Sequence, residues 1–114
     1  MANLAFGQRF NWTVADATTI AASGDNTIIA APGAGLRLVI KSLTVQNESS
    51  TATTVLVQWG SAVKERKLLN QYGVLAILHE AGSEWALPAN TALIVNLSGA
   101  NSHGYSVTYA VEAA

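Results

Sequence analysis

The β-branched and aromatic residues of this chain fall in short runs, many alternating apolar and polar positions with period two. Val55, Val57 and Trp59 alternate with Thr54, Leu56 and Gln58, and Gly60 stops the run. Leu93, Val95 and Leu97 alternate as cleanly, up to the polar stretch at residues 98–102. Tyr105, Val107, Tyr109 and Val111 take one side of a last strand, with Ser106, Thr108, Ala110 and Glu112 on the other. Residues 18–23 and 27–31 flank a Gly24-Asp25-Asn26 turn, and residues 32–35 break the chain again. Residues 84–87 make a short run turned by Pro88-Ala89-Asn90. Val74–Leu78 is apolar without interruption, which predicts a strand buried on both faces.

The run at residues 36–46 changes phase. Leu36, Leu38 and Ile40 share one parity, whereas Leu43 and Val45 take the other. A slip of this kind predicts a β-bulge or a bend inside one strand. About eight short strands result, spaced roughly 8–12 residues apart, the rhythm of an all-β sandwich or barrel. The short connections require antiparallel pairing. Residues 62–71 are the exception: Lys64, Glu65, Arg66, Lys67, Leu68 and Leu69 are good helix formers, and the segment reads as one or two helical turns or a loop. Residues 1–15 also stand apart. Phe6, Phe10 and Trp12 place three of the eight aromatic residues before the strand rhythm begins. That segment reads either as a first strand or as an arm reaching a partner. The expected division is an arm at residues 1–15 and one β-sandwich domain at residues 16–114.

Composition narrows the function classes. Of the 114 residues, 50% are hydrophobic and 11% are charged, against about 25% charged in an ordinary soluble domain. Disordered chains are poor in apolar residues, so disorder is excluded. Six bases against seven acids give a net charge of −1, too little positive charge for nucleic-acid binding by phosphate neutralisation. The chain has no cysteine, which removes disulfide scaffolds and Cys-ligated zinc and suits a reducing cytoplasm. No apolar run spans a membrane, and residues 1–9 lack the pattern of a signal peptide. Ser, Thr, Asn and Gln supply 31 residues and Ala 20, a neutral small-residue surface that favours association.

Candidate chemistry is sparse. His79-Glu80 opens like a zinc-protease motif, but position 83 is Ser, so the second histidine is missing. No Gly-x-Ser-x-Gly elbow occurs, and Gly33-Ala34-Gly35 lacks the Lys of a phosphate loop. Glu80 and Glu84 flank Gly82-Ser83, which reads as a solvated turn; a small enzyme would need them to converge with His79 and His103 in one cleft. His103 itself reads as a turn residue beside Gly104. The expectation is a non-enzymatic protein without catalytic residues, metal or cofactor. Two segments have interface character. Phe6, Arg9, Phe10 and Trp12 combine aromatics with Arg, the residue types enriched where proteins meet. Lys64, Arg66 and Lys67 form the one dense basic cluster, either a solvated face or a docking loop for an acidic patch. Trp59, Trp85, Tyr105 and Tyr109 are the rings a sugar could stack on, or else core residues.

Residues 22–29, the run GLRLVIKSL at 35–43, VLVQWG at 55–60, PANTALIVNL at 88–97 and GYSVTY at 104–109 together resemble small all-β virion proteins of tailed bacteriophages. The resemblance is to capsid decoration (cement) proteins with a jelly-roll-like sandwich, and it covers roughly residues 18–112. It implies a structural protein on the virion capsid surface, assembled in the host cytoplasm. It also implies a homo-oligomer, often a homotrimer, that binds the major capsid protein and clamps the shell. The other function expected of such a sandwich is a carbohydrate- or receptor-binding module of a phage tail or fibre.

Overall fold

A computed structural model describes residues 12–114 of the chain. Every regular element among them is a strand: β1 (Thr13–Ile20), β2 (Gly24–Ile29), β3 (Leu36–Asn47), β4 (Thr53–Trp59), β5 (Ala62–Leu69), β6 (Val74–Leu78), β7 (Trp85–Ala86), β8 (Leu93–Leu97) and β9 (His103–Ala113). All pairings are antiparallel. One sheet runs β1-β9-β3-β6, with β7 also on β3, and the other runs β2-β8-β4-β5. With the two-residue β7 set aside, the remaining strands read first–eighth–third–sixth and second–seventh–fourth–fifth. That is the strand order of a jelly roll. The chain is an all-β antiparallel sandwich.

The alternating runs supply the core. Val55 and Val57 of β4 pair with Leu97 and Val95 of β8, and all four are buried. On the facing sheet Leu43 and Val45 of β3, with Val107 of β9, are buried against them. The phase slip in β3 is a bulge. Ile40 pairs with Tyr109 and Ser42 with Thr108, so Lys41 is the extra residue. Leu38 and Ile40 before it, and Leu43 and Val45 after it, are all fully buried.

Several expectations are corrected. Residues 62–71 form no helix, because residues 62–69 are β5. Gly60 and Ser61 make a two-residue hairpin turn, and Gly60 takes a φ of 58° at the first turn position. Glycine accepts that conformation without strain, and the turn lays residues 62–69 back along β4. Ladder hydrogen bonds then outweigh helix propensities of a few tenths of a kcal/mol per residue. Val74–Leu78 is a strand, but not one buried on both faces. Among the described residues it is the outermost strand of its sheet, with Leu75 buried and Leu78 exposed.

The two ends of the sandwich are closed differently. At one end Asn47, fully buried, ties three segments together. Its Nδ2 donates to the carbonyls of Thr51 (2.8 Å) and Leu69 (3.0 Å), and its Oδ1 accepts from Ser49 N and Oγ (both 2.8 Å). Asn101 Nδ2 donates to Thr53 Oγ1 at 2.9 Å beside it. His103, the cross-strand partner of Asn47, is buried in β9 rather than in a turn, and its Nδ1 lies 2.8 Å from Asn101 O. An Asn47→Ala variant leaves the Leu69 carbonyl buried without this donor. We expect a loss of about 2–4 kcal/mol in urea unfolding, with the slope unchanged.

Candidate interaction surface

The residues a small enzyme would need are not brought together. His79 follows β6, and its amide donates to Lys41 O at 2.9 Å. His103 pairs with Asn47, six positions further along β3, a separation of about 20 Å at the rise of a strand. Glu80 and Glu84 belong to a turn. Ser83 N donates to Glu80 O at 2.9 Å, and Gly82 N donates to Glu84 Oε1 at 3.0 Å. Among the described residues no three His, Asp or Glu side chains are grouped so as to hold a metal ion. Gly33-Ala34-Gly35 is a turn before β3, held by Asn90, whose Oδ1 accepts from Gly33 N at 3.0 Å.

At the end of the sandwich away from Asn47 the tryptophans gather. Trp85 pairs with Ile40, and its ring meets Trp59 edge-on with centroids 5.6 Å apart. His79 also packs on Trp85, with ring centroids 5.0 Å apart. Lys64 holds its Nζ 4.4 Å from the Trp59 ring centroid, a cation–π contact of about 0.5–1 kcal/mol at an exposed site. Lys41 places its Nζ 5.5 Å from the ring of Trp12, just before β1. Trp59, Trp85, Tyr105 and Tyr109 all pack, half-buried, against the core. Their ring area is therefore largely committed to the protein's own interior.

Of the expected interface residues, Phe6, Arg9 and Phe10 lie outside the described residues. Trp12 is half-buried. Lys64, Arg66 and Lys67 are exposed on β5, the outermost strand of its sheet among the described residues. β5 has residues 62–68 exposed on both faces. Lys64 is the extra residue of a second bulge, since Val57 pairs with Glu65 and Gln58 with Val63. Lys67 reaches across to the other sheet and donates to Val74 O at 3.0 Å. β5 and β6 thus share one flank of the sandwich.

That flank is also apolar, which the sequence reading missed. Leu78 is 79% exposed, Tyr72 64%, Leu68 59%, Val63 51% and Val74 39%. The missed signal lies in the spacing: Val63 and Leu68 bracket the charged run, and Val74–Leu78 has more apolar residues than one buried face can use. Elsewhere, Thr44, Gln46, Gly104, Tyr105 and Ser106 line a shallow groove of about 240 Å³ on β3 and β9.

No family model matches the chain, and no curated protein matches it either. A solved structure titled "Crystal structure of PirA" is similar over 90% of this chain and 85% of that one, with 17% identity and a TM-score of 0.36. A likeness at that score transfers neither fold nor function. Among the described residues no helix is long and apolar enough to cross a membrane.

The tryptophan cluster gives a direct test. Trp85→Ala removes the ring that meets both Trp59 and His79, and we expect about 3 kcal/mol of destabilisation in urea. The exposed Leu78→Ser should change stability by less than about 0.5 kcal/mol in the same measurement.

Proposed function

We propose that the chain is a non-enzymatic virion structural protein, a capsid decoration protein of a tailed bacteriophage. It binds the outer face of the major capsid protein as a homo-oligomer, a trimer on the pattern of the proteins it resembles. The reading is carried by one observation: the β5–β6 flank exposes five large apolar residues beside Lys64, Arg66 and Lys67. Large apolar side chains left exposed along one edge of a small domain suit a surface that another protein covers. A cement protein requires that and a rigid scaffold, and it requires no catalytic set. The low charge of the chain fits as well, since charged residues are depleted from the buried centre of interfaces.

A second reading is a carbohydrate- or receptor-binding module of a tail or fibre. Tyr72 favours it, because the residue is 64% exposed and carries a ring of the kind sugars stack on. The four rings first named for that role support it less, since they pack against the core.

Immunogold electron microscopy of the phage particles that encode the chain separates the two. With antibody against the recombinant protein, we expect label distributed over the head shell. Label confined to the tail supports the second reading, and particles without label sink both.

A further inference from the structure

The outer face of the β3 sheet holds a groove with a carboxylate at one end. Thr44 pairs with Ser106 and Gln46 with Gly104, and partners directly opposite in an antiparallel ladder share a face. Leu43 and Val45, of the other parity, are buried, so this face is the outer one. Those four residues line the groove with Tyr105, which packs inward against the core, and none of the five is charged. Its volume of about 240 Å³ lies below the roughly 300 Å³ at which pockets for drug-sized ligands begin. The groove has room for one side chain. Val74 pairs with Gln46 on the same face and is 39% exposed, which gives it an apolar rim.

Gly104 lets the carboxylate lie down on the sheet. A Cβ built on it would stand 3.3 Å from Glu48 Oε2 and 3.5 Å from Oε1. The backbone of Gly104 lies outside the left-handed region, so the conformation of the chain does not require a glycine there. Space does, and glycine in a strand often marks such a close approach. Glu48 directly follows β3, and its amide donates to Ser102 O at 2.9 Å, which anchors the backbone that carries the carboxylate. Among the described residues neither Glu48 oxygen takes a hydrogen bond or an ion pair. Lys67, the base that reaches β6, donates to Val74 O instead.

An apolar rim, neutral polar walls and one unpaired carboxylate suit a cation on an apolar stem. A guanidinium matches better than an ammonium, because its planar fork meets both oxygens of a carboxylate. Arginine is also enriched where proteins meet. We infer that the β3–β9 groove receives an arginine side chain of a partner protein. Glu48 takes the guanidinium, and Thr44 and Gln46 accept its remaining N–H groups. The inference is independent of the virion reading, since it names the chemistry of a contact and not where the partner resides.

NMR titration of the full chain at low salt with Nα-acetyl-arginine amide tests it, with the citrulline analogue as a neutral probe of the same shape. The backbone amide signals of Thr44, Gln46, Gly104 and Ser106 should shift and saturate, with a dissociation constant of roughly millimolar order for a probe of that size. The citrulline analogue should bind about tenfold more weakly or worse, and so should arginine amide to Glu48→Gln, an exposed change of nearly the same shape. Gly104→Val keeps every charge but fills the floor and displaces the carboxylate. It should abolish saturation while the melting temperature is retained, because valine suits a strand. Shifts that fail to saturate, or that are as large at Glu80 and Glu84, overturn the inference, since they report only a cation near surface acids. So does either variant binding like wild type, or a methyl hexoside moving the same signals where arginine amide does not.

Discussion

β3 is the strand on which both sheets depend, and its constraint is phase. It is twelve residues long and pairs with β9 along its whole length. On its other edge it pairs with β6 in one half and with β7 in the other. Strict alternation from Leu38 and Ile40 would carry Leu43 and Val45 to the outer face. Exposing those two side chains would forfeit about 3–6 kcal/mol of burial, a large part of the stability of a domain this size. Lys41 absorbs the mismatch as a bulge, with its own side chain directed to the Trp12 ring. The extra residue keeps the strand facing the core throughout, and His79 docks its amide on the Lys41 carbonyl.

The remainder of the molecule follows from closing that core at its ends and leaving one flank open. A polar knot around Asn47 closes one end, where backbone carbonyls emerge and need donors. Tryptophans close the other, where Trp59 from one sheet meets Trp85 from the other. The β5–β6 flank is closed by neither. Lys67 spans it with one hydrogen bond, and exposed apolar side chains lie along it. Lysines and a bulge protect that flank from indiscriminate strand pairing while leaving its side chains available to a specific partner.

Much of the fold was legible in the sequence. The alternation in β4, β8 and β9 identified real strands, and the parity change between Ile40 and Leu43 identified a real bulge. The failures have a common cause. Residues 62–69 have helix propensity and became a strand because Gly60 turns them onto β4. Val74–Leu78 is apolar enough for double burial and became an edge because nothing in the described chain lies beyond it. His103 sits beside Gly104 like a turn residue and is buried because β1 and β3 pair on either side of it. The candidate surface was half legible: its bases stand out in the sequence, whereas its apolar residues look like core.

The sequence by itself determined the class: short alternating strands, antiparallel connections, a core without cysteine and a surface of low charge. These are local or compositional properties, readable from periods of two and from turn residues. Only the tertiary structure decided the strand order. The chain changes sheet at nearly every connection, and the β4–β5 hairpin is a rare local pairing, so neighbours in sequence are seldom neighbours in a sheet. Which apolar strands end at an edge, and which flank therefore carries exposed Leu68 and Leu78, depends on that order. Burial is a property of what lies next to a side chain in space, and in a jelly roll those neighbours come from distant parts of the chain.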